Sequence, residues 1–182
     1  RKERFSHVIA KLKDIRDAEE AYKTVNGKYA GNFESLIKFI DTGNYTITTQ
    51  RDSSYMKFDR AYGIELQQDT VIIDTLGMVK IKDSLFKGSD RYKSMMDVPY
   101  AQNGEKFELK ADIIDKSGYK APVFEAKVKK DVILYDQPKD LVDREKAHQS
   151  VEEENGDEIK VGSLTDVSTN GNWPPIYDRK NN

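Results

Sequence analysis

Apolar residues open the chain at Phe5, Val8, Ile9, Leu12, Ile15, Ala18, Tyr22 and Val25, spaced by threes and fours. Between them stand Lys11, Lys13, Asp14, Arg16, Asp17, Glu19, Glu20 and Lys23. The spacing predicts an amphipathic helix over residues 5–25, with the charged positions forming a solvated face. Asn26 and Gly27 stop it, because both tolerate the left-handed backbone of a helix end. Asn32 can cap a second, shorter helix with Phe33, Leu36, Ile37 and Ile40 on its inner side. Gly43 and Asn44 end that helix.

From Tyr45 the period changes to two. Tyr45, Ile47 and Thr49 alternate, and Arg51, Asp52, Ser53 and Ser54 read as a turn. Residues 55–58 and 62–67 read as short strands, Gln68 and Asp69 as another turn, and residues 70–74 and 78–82 as further strands. Together residues 45–82 predict a meander of short antiparallel strands. The opening helix is the natural cover for its apolar face. Residues 83–86 and 90–96 read as helical turns, and Pro99 keeps Val98 extended.

Phe107, Leu109, Ala111 and Ile113 then alternate with Glu108, Lys110 and Asp112, and Phe124, Ala126 and Val128 return after the loop at residues 115–118. Pro122 marks an edge or a strand start. A third strand over residues 132–135, a short helix over 141–147 and an acidic loop over 152–158 follow. A last strand carries Ile159, Val161 and Leu164, before a turn and tail from residue 169. The fold class is α+β: a long N-terminal amphipathic helix and a short second helix packed on antiparallel β-sheet. Residues 1–44 form a helical hairpin and 45–135 a β-sheet region. Residues 136–182 are an acidic C-terminal region completing the same domain.

Charge changes this picture locally. The net charge is only −2, yet residues 131–182 hold twelve acids against six bases. The basic excess gathers at the start, at Arg1, Lys2, Arg4, Lys11, Lys13 and Arg16. Arg1, Lys2, Arg4 and Lys11 are a candidate membrane-proximal basic face, attracted to lipid headgroups. The plainer reading is a solvated helix face. Nucleic acid is not expected, since no basic patch with interleaved aromatics recurs. No apolar run reaches transmembrane length. The chain starts at Arg1 already in helical pattern, which leads us to expect a segment upstream in the full-length product.

Chemistry is sparse. With no cysteine, disulfides, thiolate metal sites and a cysteine nucleophile are excluded. His7 and His148 have no second histidine or ligand-spaced acid in a metal motif. Glu152, Glu153, Glu154 and Asp157 offer hard oxygens for Ca²⁺, but not in EF-hand spacing. No glycine-rich phosphate loop and no Gly-x-Ser-x-Gly elbow is present. Neither a cofactor nor an enzymatic activity is expected. Tyr92, Tyr100, Trp173 and Tyr177 fall in irregular segments and are a candidate partner or ligand surface, although core or loop packing is the better reading of each.

The phrase Ile15-Arg16-Asp17-Ala18-Glu19-Glu20-Ala21-Tyr22, followed by Gly27-Lys28-Tyr29 and Phe33-Glu34-Ser35-Leu36, resembles the post-membrane part of type IV pilins and type II secretion pseudopilins. The whole sequence also resembles bacterial envelope proteins with a single N-terminal membrane helix. The resemblance implies a pilin-like fold and a periplasmic or cell-envelope domain anchored by an upstream helix. It implies a structural subunit acting through contacts with other protein subunits of an envelope assembly. The alternative is a binding module for a cell-envelope polymer or carbohydrate, built on the four aromatics.

Overall fold

One helix organises the core. In the computed structural model, which describes residues 2–147 and 156–178, α1 spans Lys2–Asn26. Phe5, Val8, Ile9, Leu12, Ile15 and Ala18 are all fully buried along its stripe. Val25 is half exposed, so the stripe closes one turn before the helix does. Gly27, at φ +79°, ends the helix, and its N–H donates to the Lys23 carbonyl at 2.7 Å. The connector reverses the chain into α2, Phe33–Thr42. Asn32 caps it as expected, its Oδ1 accepting from the Ser35 N–H at 2.8 Å. Leu36 and Ile40 face α1 from this second helix.

The sheet that covers α1 lies late in the chain. Strands β3 (Glu108–Lys116), β4 (Tyr119–Lys129) and β5 (Glu158–Gly162) run antiparallel in the order β3-β4-β5. Phe124, Ala126 and Val128 of β4 and Ile159 and Val161 of β5 supply the buried face against the helix. Pro122 therefore sits in the central strand. It lies opposite Ile113, in a stretch that β5 does not reach, so its missing N–H costs no ladder bond.

Residues 45–82 depart from expectation. They form one long hairpin, β1 (Asn44–Asp59) and β2 (Ile64–Lys80), paired with each other and, among the described residues, with no third strand. Arg51 to Ser54 are mid-strand residues, paired with Ile72, Val71, Thr70 and Asp69. The chain reverses only once, between Asp59 and Ile64. This hairpin does not roof α1: no fully buried core residue lies between Ile40 and Ile81, and only Tyr45, at the hairpin's root, packs partly buried against the cluster.

The remaining elements lock around α1. They are α3 (Ile81–Phe86), a 3-10 turn at Arg91–Ser94, α4 (Lys130–Ile133) and α5 (Lys139–Lys146). The strand expected over residues 132–135 is instead the end of α4 and the turn after it, since a short apolar run does not distinguish helix from strand. Leu164 falls outside the last strand, which Gly162 ends at φ +81°. Of the acidic loop, Glu152, Glu153 and Glu154 lie outside the described residues, as do His148 and Arg1.

Candidate interaction arm

The β1–β2 hairpin is the part of the molecule that folding alone does not account for. Its strands hold 16 and 17 residues, which at about 3.3 Å per residue makes an arm on the order of 50 Å long. Of the nineteen large apolar side chains exposed among the described residues, eleven lie between Ile47 and Met78, so the arm is where exposed apolar surface concentrates.

Antiparallel pairing puts opposite residues on one face. The register therefore assigns Ile47, Tyr55, Ile64 and Leu66 to one face and Met56, Phe58, Val71, Ile73 and Met78 to the other. Leu76 is an unpaired extra residue at a bulge, between the Ile47–Gly77 and Thr48–Thr75 pairs. Tyr62 stands at the tip, 77% exposed. Neither face is the polar one. Both outer edges of the ribbon are also unpaired among the described residues, and such edges template pairing with another strand. Polar atoms at the tip hold the turn, where Asp59 Oδ1 accepts from the Ala61 N–H at 2.8 Å. Arg51 and Asp74 bridge the strands at 3.0 Å.

The root of the arm is fixed. The Gly43 N–H donates to the Phe39 carbonyl at 2.7 Å, and the Ile81 N–H donates to the Gly43 carbonyl at 3.1 Å. A Cβ on Gly43 would run into the Phe39 carbonyl and stand 2.7 Å from Ile81 Cδ1. Glycine is thus required where the last turn of α2 meets the start of α3.

The aromatics singled out from the sequence do not share a surface. Tyr92 is 1% exposed, and its hydroxyl donates to Asp41 Oδ1 at 2.7 Å. Burial and that carboxylate push the phenol up to about 12. Trp173 is also buried, its Nε1 donating to Asp178 Oδ1 at 3.1 Å, and Tyr177 packs partly buried against the core. Tyr92 and Trp173 are core residues, contrary to a role in a ligand surface, because each large ring finds an apolar bed and a polar partner for its single donor. Tyr100 alone is exposed. It stacks on His7 at 5.6 Å, with its hydroxyl 2.6 Å from His7 Nδ1, and Arg4 lies over its ring.

The basic face is likewise largely engaged. Arg4 donates to both carboxylate oxygens of Asp136, at 2.6 and 2.9 Å, and to the Ile133 carbonyl. The guanidinium holds the Asp136 carboxyl well below the usual carboxylate range. Lys11 donates to the Ser94 and Asp97 carbonyls. Both cations dock later segments onto α1 rather than forming a free basic stripe. Arg1 and the Lys2 side chain lie outside the described residues.

Sequence reasoning missed Glu19. It is no part of a solvated face but fully buried, with Oε1 accepting from the Ala30 N–H at 3.0 Å and Oε2 without a hydrogen-bond partner among the described residues. Burial pushes its carboxyl up to about 8. The signal was present, since Leu12, Ile15, Glu19 and Tyr22 continue the three-and-four spacing of the buried stripe. The bond ties α1 to the connector before α2.

Among the described residues no helix is long and apolar enough to cross a membrane, and no group of three or more His, Asp or Glu stands where it could hold a metal ion. The chain matches no protein-family model, no curated protein and no solved structure.

Proposed function

We propose that the protein is a non-catalytic structural subunit of a bacterial cell-envelope assembly, acting through protein–protein contacts made by the β1–β2 arm. In the full-length product an apolar helix ahead of α1 would anchor it, as the pseudopilin-like residues 15–36 suggest. One observation carries the reading: the arm exposes apolar side chains on both faces while only Tyr45, at its root, packs against the buried core. A two-stranded ribbon is marginal by itself in water. Each large apolar side chain covered by a partner returns about 1.5–3 kcal/mol, so a partner surface both stabilises the arm and removes an aggregation hazard.

The test is photo-cross-linking in cells producing the full-length protein, with a photoreactive residue at Phe58 or Met78 and a control at Lys139. Defined protein adducts from the arm positions, absent at the control, are expected. Arm positions that yield no adduct overturn the assembly role. Fractionation addresses the anchor separately, and recovery wholly in the soluble cytoplasm removes it.

A further inference from the structure

The core sheet has an open edge at β3. β3 is an edge of its sheet, with β4 on one side and no strand on the other among the described residues. Its outward groups can be identified. The Ile113 N–H donates to the carboxylate of its own neighbour Asp112 at 2.8 Å instead of to β4. Ile113, and with it Ala111, thus presents its backbone N–H and C=O to the open side, by the alternation of an antiparallel strand. Beside that edge lies a groove of about 380 Å³, lined by Tyr22, Tyr29, Ser35, Ala111 and Ile113. Ile113 is 53% exposed in it.

The arm has an open edge as well, at β1. The Asp59 carbonyl accepts from the Gly63 N–H at 2.8 Å, so Asp59 points its backbone groups inward across the hairpin. By the same alternation Phe58 and Met56 point theirs outward, at the free edge of β1. Their side chains share one face.

Resting on the assembly reading above, we propose that β1 of one copy adds antiparallel to the β3 edge of a second copy, with Phe58 opposite Ala111 and Met56 opposite Ile113. Outward-pointing backbone then meets outward-pointing backbone. The small Ala111 leaves room for the Phe58 ring, and both arm side chains enter the groove. The same register places Asp59 opposite Lys110 and Lys57 opposite Asp112, two opposite-charge pairs on the solvent face. Asp112 exchanges its local bond to the Ile113 N–H for Lys57, and the Met56 carbonyl takes over that N–H. Lys110 gives up an exposed contact with Glu108, which is worth little. Asp59 Oδ1 keeps the tip turn. The result is a continuous five-stranded sheet, β2-β1 of one copy on β3-β4-β5 of the next. Donor and receptor are different surfaces, so the contact is heterologous and propagates as a ring or an open filament.

The chain has no cysteine, which makes disulfide trapping clean. Full chains carrying Tyr55→Cys and Ile114→Cys, opposite each other in this register, are mixed under mild oxidation. A heterodimer should form at least tenfold faster than with Ile47→Cys in place of Tyr55→Cys. Charge reversal gives a second readout by sedimentation velocity. Lys57→Asp and Asp112→Lys should each weaken self-association at least tenfold alone, and an equal mixture of the two should restore it. Equal trapping at the shifted position, or a mixture no better than its components, overturns the proposal. So does a wild-type chain that remains monomeric across the accessible concentrations. If cross-links from Phe58 in cells then lead to a different protein, the assembly role stands and only the self-complementary contact falls; if they lead nowhere, both fall.

Discussion

Glu19 shows how much one buried atom sets the behaviour of this core. Among the described residues no cation pairs with its carboxyl: one oxygen accepts from the Ala30 N–H and the other has no hydrogen-bond partner. Tyr29, across the connector, feels its charge unfavourably and is itself raised, mainly by burial and then by Glu20 and Glu19. Burial holds the acid protonated well above its ordinary range, its pKa pushed up to about 8. Unfolding releases that proton at any pH between the unfolded and folded values. The unfolded state binds fewer protons there, so stability falls as pH rises, by about 1.4 kcal/mol per unit. Between roughly pH 5 and pH 8 the loss is on the order of 4 kcal/mol. Glu19→Gln keeps an oxygen for Ala30 and removes the titration. Urea midpoints of the two proteins should be close at pH 5, with the variant clearly more stable at pH 8.5. Parallel pH profiles would show that Glu19 is not the cause. Asp136 acts in the opposite sense: Arg4 depresses its carboxyl, so its contribution is complete above the ordinary carboxylate range and is lost only in strong acid.

At the scale of elements, the root of the arm is the most constrained joint. Gly43 has an ordinary φ of −81°, so alanine there costs nothing in backbone conformation and everything in contact. Gly43→Ala should destabilise the fold by about 1–3 kcal/mol through the collision with Phe39 and Ile81. A lower melting temperature in thermal unfolding checks this, and an unchanged one would mean that the joint yields. Legibility in the sequence follows burial. The α1 stripe, the Asn32 cap and the β3–β4 hairpin were readable because each has one wet and one dry face, which writes a period into the chain. The arm was not readable as two long strands. Nothing buries either face, so polar residues are free to occupy strand positions. Asp52, Ser53 and Ser54 look like a turn, yet they pair with Val71, Thr70 and Asp69, whose neighbour Gln68 looks like another. Two apparent turns facing each other are the middle of one ribbon. Tyr92 and Trp173 misled for the converse reason, since irregular backbone carries them into the core without any period to announce it.

On the scale of the whole molecule, folding and assembly are carried by separate parts. The buried cluster runs from Phe5 to Ile40 and resumes at Ile81, and of the arm only Tyr45, at its root, packs against it. It can then be removed without unfolding the rest. Thr46 and Met78 are opposite each other at its base, and an Asn-Gly pair is the natural two-residue reversal between paired strands. Replacing residues 47–77 by Asn-Gly retains Tyr45 and Val79, the half-buried residues at the junction. We expect the shortened chain to melt within about 3 °C of the parent, a spread corresponding to roughly 1 kcal/mol in a domain of this size. It should sediment as a monomer at concentrations where the parent associates. Should the shortened chain instead fail to fold, the arm would belong to the folding unit and its exposed apolar surface would need another explanation. Should it fold and still associate, the contact would lie on the core. Only a stable monomer fits a molecule whose core folds by itself while its arm serves another chain.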